Sequence, residues 1–416
     1  MFVVLLALLC LIPAPAWNQA PDVNVNSRYT IESVEFPGKY QRKLSPSLRS
    51  EFDRLAGEKF NQDLVDRLSK RIRRELRGYS VMQKITKGTT PESIRVVYEV
   101  LRAGRQTDLV LPRLVYHSRE NFSFGADGKL RSGGHELSMG ILTDNDRLME
   151  RYSGLRGGYQ RSMLDGRFQA GFTAESWRAQ WNPAVLSALA AESGQDETAG
   201  IYRTRLHVSP GLSAEIVRGL TLFAGVSFQR FQTQFPAARF ESSNALVSSL
   251  RIQRRFEPSG PGKHTVEAGY HLRAATRSLG SDFAYSRHAI DARYGLDYGD
   301  DHIAAAFTAG YLTGRAPLFD RFILGNSTTL RGYNKYDVAP LGGGRMAHGS
   351  IDYRHKWVRV IYDTGTVYDR GRGSGVLHSL AAGVTTGAGR DSVSLLVAFP
   401  LKEGRAEPVF ILGMNF

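Results

Sequence analysis

The sequence predicts a mainly β fold: a transmembrane antiparallel β-barrel of about 16 strands, preceded by one small α+β domain of order βααββ. Three observations point there. From about Leu109 onward, helical periodicity gives way to short alternating apolar and polar runs separated by turn residues. No stretch of eighteen or more apolar residues follows the first twenty positions, which excludes a helical membrane protein. The 43 glycines, 18 tyrosines and 21 phenylalanines are what such a barrel uses at its turns and interfacial girdles. A slightly polar mean hydropathy agrees, because only every second strand residue meets lipid.

The first element is an export leader. Phe2 to Ile12 is an apolar run too short to span a bilayer, and Ala14-Pro15-Ala16 offers a small-x-small cleavage site. Residues 1–16 are therefore expected as a signal peptide, cut after Ala16. It departs from the usual pattern in one respect: no Lys or Arg precedes the apolar run. The sole cysteine, Cys10, lies inside this leader behind Leu9, which is not the small residue a lipid-anchored cysteine needs. The mature chain is then expected to have no disulfide, thiolate metal site or thiol nucleophile.

A compact module is expected over residues 27–103. Tyr29, Ile31, Val34 and Phe36 form a strand that stops at Pro37-Gly38. Ser45-Pro46 opens a helix whose Leu48, Phe52 and Leu55 share a face, and Gly57 closes it. Asn61 opens a second helix with Leu64, Leu68 and Ile72 inward, ending at Gly78. Strands Tyr79 to Lys87 and Ile94 to Leu101 follow, separated by Gly88-Thr89-Thr90-Pro91. Between Ser27 and Arg105 there are 18 Lys or Arg against 10 Asp or Glu, a concentrated share of the chain's net charge of +14. A solvated helix face and attraction to anionic lipid or acidic clients account for it equally. Nucleic acid is not expected as a partner.

Residues 107–416 read as the barrel. Leu155, Gly157 and Tyr159 alternate with Arg156, Gly158 and Gln160 before the turn at Leu164-Asp165-Gly166. Tyr202, Thr204, Leu206 and Val208 oppose Arg203, Arg205 and His207; Arg218-Gly219 and Gly299-Asp300 mark later turns. Runs of roughly nine to eleven residues suit a tilted bilayer crossing, and a sheet in lipid must close on itself. At about nineteen residues per strand and connection the count is about 16, with 12 or 14 as alternatives. Pro183 to Gly200 lacks alternation and is expected as an extracellular loop. The last strand places Phe410, Leu412, Met414 and Phe416 on one face and ends on an aromatic carboxyl-terminal residue.

The βααββ pattern resembles a POTRA domain, and the terminal aromatic strand resembles the insertion signal of outer-membrane barrels. Phe319-Asp320-Arg321-Phe322-Ile323-Leu324-Gly325, followed by Leu330-Arg331-Gly332-Tyr333, resembles the sixth-loop region of the bacterial surface antigen superfamily. That group includes BamA, TamA and the two-partner secretion transporters. Leu330 stands where the family usually carries a β-branched residue. The resemblance implies that the loop folds back into the barrel and that Arg331 meets acidic residues on the inner wall. Asp363-Thr364-Gly365 matches the family's Asp-x-Gly strand, so Asp363 and Gly365 are the first wall partners. Asp352, where relatives often carry glutamate, is the further one. A guanidinium in a partly dry lumen needs a carboxylate, and Gly332 permits a tight approach.

By the same resemblance the chain would sit in the bacterial outer membrane with its N-terminal domain in the periplasm. It would help polypeptides insert into or cross that membrane, without a metal or other cofactor. Its partners would be unfolded outer-membrane or secreted clients, membrane lipid, and periplasmic chaperones or accessory proteins. The alternatives are a two-partner-secretion-type transporter for one dedicated passenger, or a client-free channel or structural barrel. Enzyme chemistry is not expected. Asp352, Asp363 and Asp369 suit loop anchoring as well as catalysis, and His348, His355 and His378 lack metal-ligand spacing. Gly342-Gly343-Gly344 precedes no helix that would cradle a phosphate.

Overall fold

A computed structural model describes residues 28–76, 79–102, 106–192, 201–235, 237–256, 262–369, 372–387, 392–402, 404 and 407–414. The expected leader and the terminal Phe416 lie outside these residues. The chain forms two compact units, Met1–Arg105 and Gln106–Phe416.

In the first unit, strands β1 (Thr30–Glu35), β2 (Tyr79–Lys87) and β3 (Ser93–Arg102) make one sheet of order β1-β3-β2. β3 lies parallel to β1 and antiparallel to β2. Helix α1 (Pro46–Leu55) starts where the Ser45 hydroxyl accepts from the Leu48 amide at 3.3 Å. Helix α2 (Gln62–Glu75) starts at Asn61, which accepts from the Asp63 amide at 2.9 Å. Their apolar stripes pack Leu48, Phe52, Leu68 and Ile72 against Val96 and Tyr98 of the sheet. Val65, rather than Leu64, is the fully buried residue of that turn of α2.

The two sheet edges differ. Main-chain bonds from Gly57 and Phe60 to the Ile31 and Tyr29 carbonyls, and from Ile31 to the Glu58 carbonyl, cover the β1 edge. β2 is the other edge, and it exposes the apolar Met82 and Ile85.

The second unit is a closed antiparallel barrel. Its staves begin with β4 (Gln106–His117), β5 (Asn121–Ser132), β6 (His135–Asp144), β7 (Arg151–Met163) and β8 (Phe168–Gln180). They continue with β9 (Ile201–Val217), β10 (Leu220–Phe235), short β11 (Phe240–Ser242), β12 (Ala245–Phe256), β13 (Gly262–Ala275), β14 (Ala284–Tyr298) and β15 (Asp301–Arg315). The ring ends with β16 (Arg345–His355), β17 (Val358–Asp369), two-residue β18 (Arg372–Gly373), β19 (Leu377–Thr386), β20 (Val393–Pro400) and β21 (Val409–Met414). β11 and β18 splint loops, since β10 pairs directly with β12 and β17 with β19; sixteen strands remain as staves.

Alternation decides the two faces. Leu137, Met139, Ile141, Leu155, Phe307 and Ile351 point outward and are exposed, the apolar band that a bilayer covers. Tyr353 and Trp357 at the near end, where β4 begins, and Tyr311 at the far end supply interfacial aromatics. The inner wall is polar: Arg156 holds Asp127, His271 meets Asp291 at 2.8 Å and Gln253 bonds Glu267 at 2.8 Å.

Two expectations need correction. Strands are not confined to nine to eleven residues: β9 has 17 and β20 only 8. A tilted crossing fixes a minimum for hydrocarbon, whereas ladder bonds continue into the aqueous rims wherever a neighbour persists. The segment from Pro183 also holds a helix, α3 (Pro183–Glu192). Asn182 accepts from the Ala184 amide at 2.9 Å and Pro183 opens an alanine- and leucine-rich turn, so local propensity wins where no strand partner exists.

Candidate functional site

The loop joining β15 to β16, residues 316–344, folds into the far end of the barrel and meets several walls. Its first turn carries Phe319, whose ring stacks over the buried Arg205 guanidinium of β9 at 4.1 Å. Asp320 accepts from the Tyr285 hydroxyl and lies 3.2 Å from Arg273, while Arg287 donates to the Asp320 carbonyl at 2.9 Å. Arg321 pairs with Asp369 of β17. Phe322 then lies beneath Arg287 at 4.3 Å, in space that any side chain at Gly310 would fill. Four consecutive residues thus meet five strands, β9, β13, β14, β15 and β17.

The next stretch turns tightly. Gly325 has φ +94°, and an added Cβ would meet the Lys335 amide nitrogen at 2.9 Å. The Asn326 side chain accepts from the amides of Thr328 and Thr329, both at 2.9 Å, and closes the turn. Leu330 itself is left-handed, with φ 44°, and fully buried. A left-handed residue costs more when it is β-branched, so leucine suits this position better than valine or isoleucine would.

Arg331 projects from that turn onto Asp363. Its Nη1 lies 2.7 and 2.9 Å from the two carboxylate oxygens, and its own amide donates to Oδ2 at 3.2 Å. The geometry is one nitrogen between two oxygens, not two parallel bonds. Both side chains are buried, 8% and 1% exposed, and His348 stands 3.5 Å from the same carboxylate. Such a pair persists only because each charge supplies what the other lost in leaving water. Gly332 follows, and a Cβ there would strike the main chain of Phe399 and Pro400 on β20. Gly365 plays the matching part on the wall, where a Cβ would meet the Leu324 side chain at 3.1 Å. Leu330 and Tyr333 are buried with Leu324, Phe322, Met346 and Val367.

Asp352 does not join this group. It faces inward, but Arg359 takes it, with Nη2–Oδ2 at 2.7 Å. The register explains why. Asp363 lies opposite Ser350, whereas Asp352 lies opposite Ile361, one inward step nearer the near-end turn, beside Arg359. Of the C-terminal set, Phe410 and Leu412 face outward and are exposed, and Met414 is half-buried.

A second group of contacts carries no sequence signal of its own. Lys335, 1% exposed, lies 3.3 Å from Glu120 in the β4–β5 turn and donates to the Asn145 and Asp146 carbonyls at 2.6 and 3.1 Å. Ser327 donates to Asp146 from its amide at 2.9 Å and from its hydroxyl at 2.5 Å. Asp146 also holds Arg113 of β4, and Arg113 donates to the Ser327 hydroxyl at 3.1 Å. The loop residues stand 181 to 215 positions from these partners, so only barrel closure brings them together.

The seam of the barrel is the place where its last strand meets its first. Among the described residues β21 and β4 share four register pairs, Ile411 with His117 through Met414 with Leu114. β14 and β15 share fifteen. The lumen's far end is filled by α3 and the inserted loop: Val185, Leu189 and Trp181 are buried with Tyr202, Phe231 and Leu318. Among the described residues no cluster of His, Cys, Asp and Glu is arranged to hold a metal ion.

Residues 266–390, which contain the whole inserted loop and both Arg331 and Asp363, match the family model of the Omp85 superfamily domain. No curated protein matches the chain. Among solved structures it is similar to BamA from Haemophilus ducreyi lacking POTRA domains 1–3, at TM-score 0.62 and 14% identity, over 93% of this chain and 84% of that one. It is also similar to CdiB from Acinetobacter baumannii, at TM-score 0.56 and 12% identity, over 93% of this chain and 73% of that one. CdiB from Escherichia coli gives TM-score 0.53 and 12% identity, over 93% and 76%.

Proposed function

We propose, from the premise that this chain belongs to the Omp85 superfamily, that it is an outer-membrane factor which helps polypeptides insert into or cross that membrane. The observation that carries the reading is the short seam: among the described residues β4 and β21 share four register pairs, fewer than the six to fifteen that the other adjacent staves share. Each missing pair removes ladder bonds, so the seam is the wall's cheapest place to part. A client strand entering there would satisfy its amides against β4 or β21 instead of leaving them bare in lipid.

The remaining parts take their places around that step. Residues 1–16 serve as the export leader. The module over residues 27–103 is a POTRA-like domain in the periplasm and offers the β2 edge, with Met82 and Ile85 exposed beside it, for an extended client to lie along. Arg331 on Asp363 holds the loop in its working position and does no chemistry. Phe410, Leu412, Met414 and Phe416 direct the barrel's own insertion. No cofactor is needed, because the free energy of each inserted strand is its own pairing and burial.

Depleting the protein and comparing outer-membrane and secreted protein inventories tests this. Early loss of particular barrels, or of one secreted protein, is the expected result and identifies the client. Unchanged inventories would contradict the reading and favour a client-free barrel.

A further inference from the structure

The loop that binds Asp363 is held equally firmly on the opposite side of the seam. On one side Arg331 meets Asp363 of β17, and Gly332 presses on the Phe399–Pro400 main chain of β20. On the other side Ser327 is clasped by Asp146 and by Arg113 of β4, and Lys335 by Glu120 in the turn that follows β4. Arg113 belongs to the first stave of the barrel and Glu120 to the turn that follows it; β17 and β20 belong to the closing staves.

These contacts are not those of a loop resting in a vestibule. Lys335, Glu120 and Asp146 are 1% exposed or less and Arg113 is 5% exposed at its side chain. A lysine that only filled space would keep its ammonium in water, because an uncompensated buried charge is among the costliest groups in a fold. Burial of four charges is tolerated here because each one closes on a partner from a different segment. The bonds therefore join loop to first stave, where the seam's own ladder is shortest.

We infer that residues 327–335 form a strap across the seam from the luminal side, bolted to the closing staves by Arg331 and to the first stave by Lys335 and Ser327. Lys335, Arg113 and Glu120 are then positioning residues: they touch no client, and they set how far β4 and β21 separate. The strap deepens the proposed function, on which its purpose rests, but its existence is a property of the empty barrel. Releasing the first-stave bolt frees the seam while Arg331 stays on Asp363. Releasing Arg331 leaves the loop on β4 and loosens its hold on the closing staves.

Distance measurement between spin labels tests it in the full-length protein carrying Cys10→Ser. Phe122, Tyr116, Leu412 and Leu395 form one register row across the seam, and Phe122 and Leu395 face outward. Labels on Phe122→Cys and Leu395→Cys therefore span it at a single height. The unsubstituted strap gives one narrow population. Ser327→Ala/Lys335→Met adds a second population longer by about one strand spacing, roughly 5 Å. Glu120→Gln/Lys335→Met, which leaves no orphaned charge at that pair, does the same and covers the case in which the first variant fails to fold. An unchanged distribution in a folded variant overturns the strap. So does equal widening by Asp352→Asn, which loosens the inner wall away from the bolts. Client insertion by the same proteins separates the two readings. A widened seam with unaltered client handling keeps the strap and sinks the proposed function. Altered handling across an unmoved seam sinks the strap alone.

Discussion

Removing the Arg331 guanidinium strands the Asp363 carboxylate inside the barrel with His348 as its nearest remaining partner. Breaking a buried pair from one side costs on the order of 3–5 kcal/mol. Arg331→Ala should therefore lower the denaturant midpoint of the folded barrel and expose residues 316–344 to protease; an unchanged midpoint with a protected loop would remove Arg331 from the anchor. Gly332→Ala is expected to free the loop by a different route, because the added Cβ meets main chain of β20 that has no room to retreat. Its signature is loop cleavage with the Asp363 pair still available. In the N-terminal unit, Glu32 accepts from the Thr89 amide and from the Thr89 and Ser93 hydroxyls. These bonds, led by Ser93, hold its carboxyl at about 2, below its ordinary 4.5. A depressed carboxyl stabilises the fold fully above its unfolded value and loses that contribution as pH falls through the folded one. Between about pH 4.5 and 2 the native unit should thus gain pepsin sensitivity, and Glu32→Gln should flatten that dependence. Identical profiles for both proteins would contradict the assignment.

At the scale of elements, what alternation can and cannot tell is visible in two aspartates. Both Asp352 and Asp363 read as inward from the pattern of their strands, and both are. Alternation fixes the face but not the height, so it did not show that Asp352 lies one inward step farther from the loop than Asp363, where Arg359 takes it. Arg331, Gly332 and Asp363 were legible because their spacing in two short segments carries the geometry. Lys335, Glu120, Arg113 and Asp146 were not, because a turn residue acquires its partner only when strands far apart in sequence close the ring. The helix α3 was missed for a related reason: a short alanine-rich run lacks an amphipathic stripe until the vestibule supplies one. Packing of Val185 and Leu189 against Tyr202, Phe231 and Leu318 leads to a prediction about conduction. The intact protein should pass little steady current in a planar bilayer, and deleting residues 316–344 should raise it several-fold. Large steady conductance in the intact protein would instead support a channel.

For the whole molecule, the proposed function comes down to one movement, a parting of the barrel where its last strand meets its first. Among the described residues every other pair of adjacent staves shares at least six register pairs, so strain applied to the wall concentrates at β4 and β21. Tyr116 and Leu412 face each other there in register, at a spacing that a disulfide spans, and the mature chain is expected to offer no competing thiol. The decisive measurement is insertion or export of the clients found by depletion, in a strain whose only copy carries Tyr116→Cys/Leu412→Cys. The oxidised seam is expected to stop client handling, and reduction to restore it within the same preparation. Full client handling through a demonstrably cross-linked seam would contradict it.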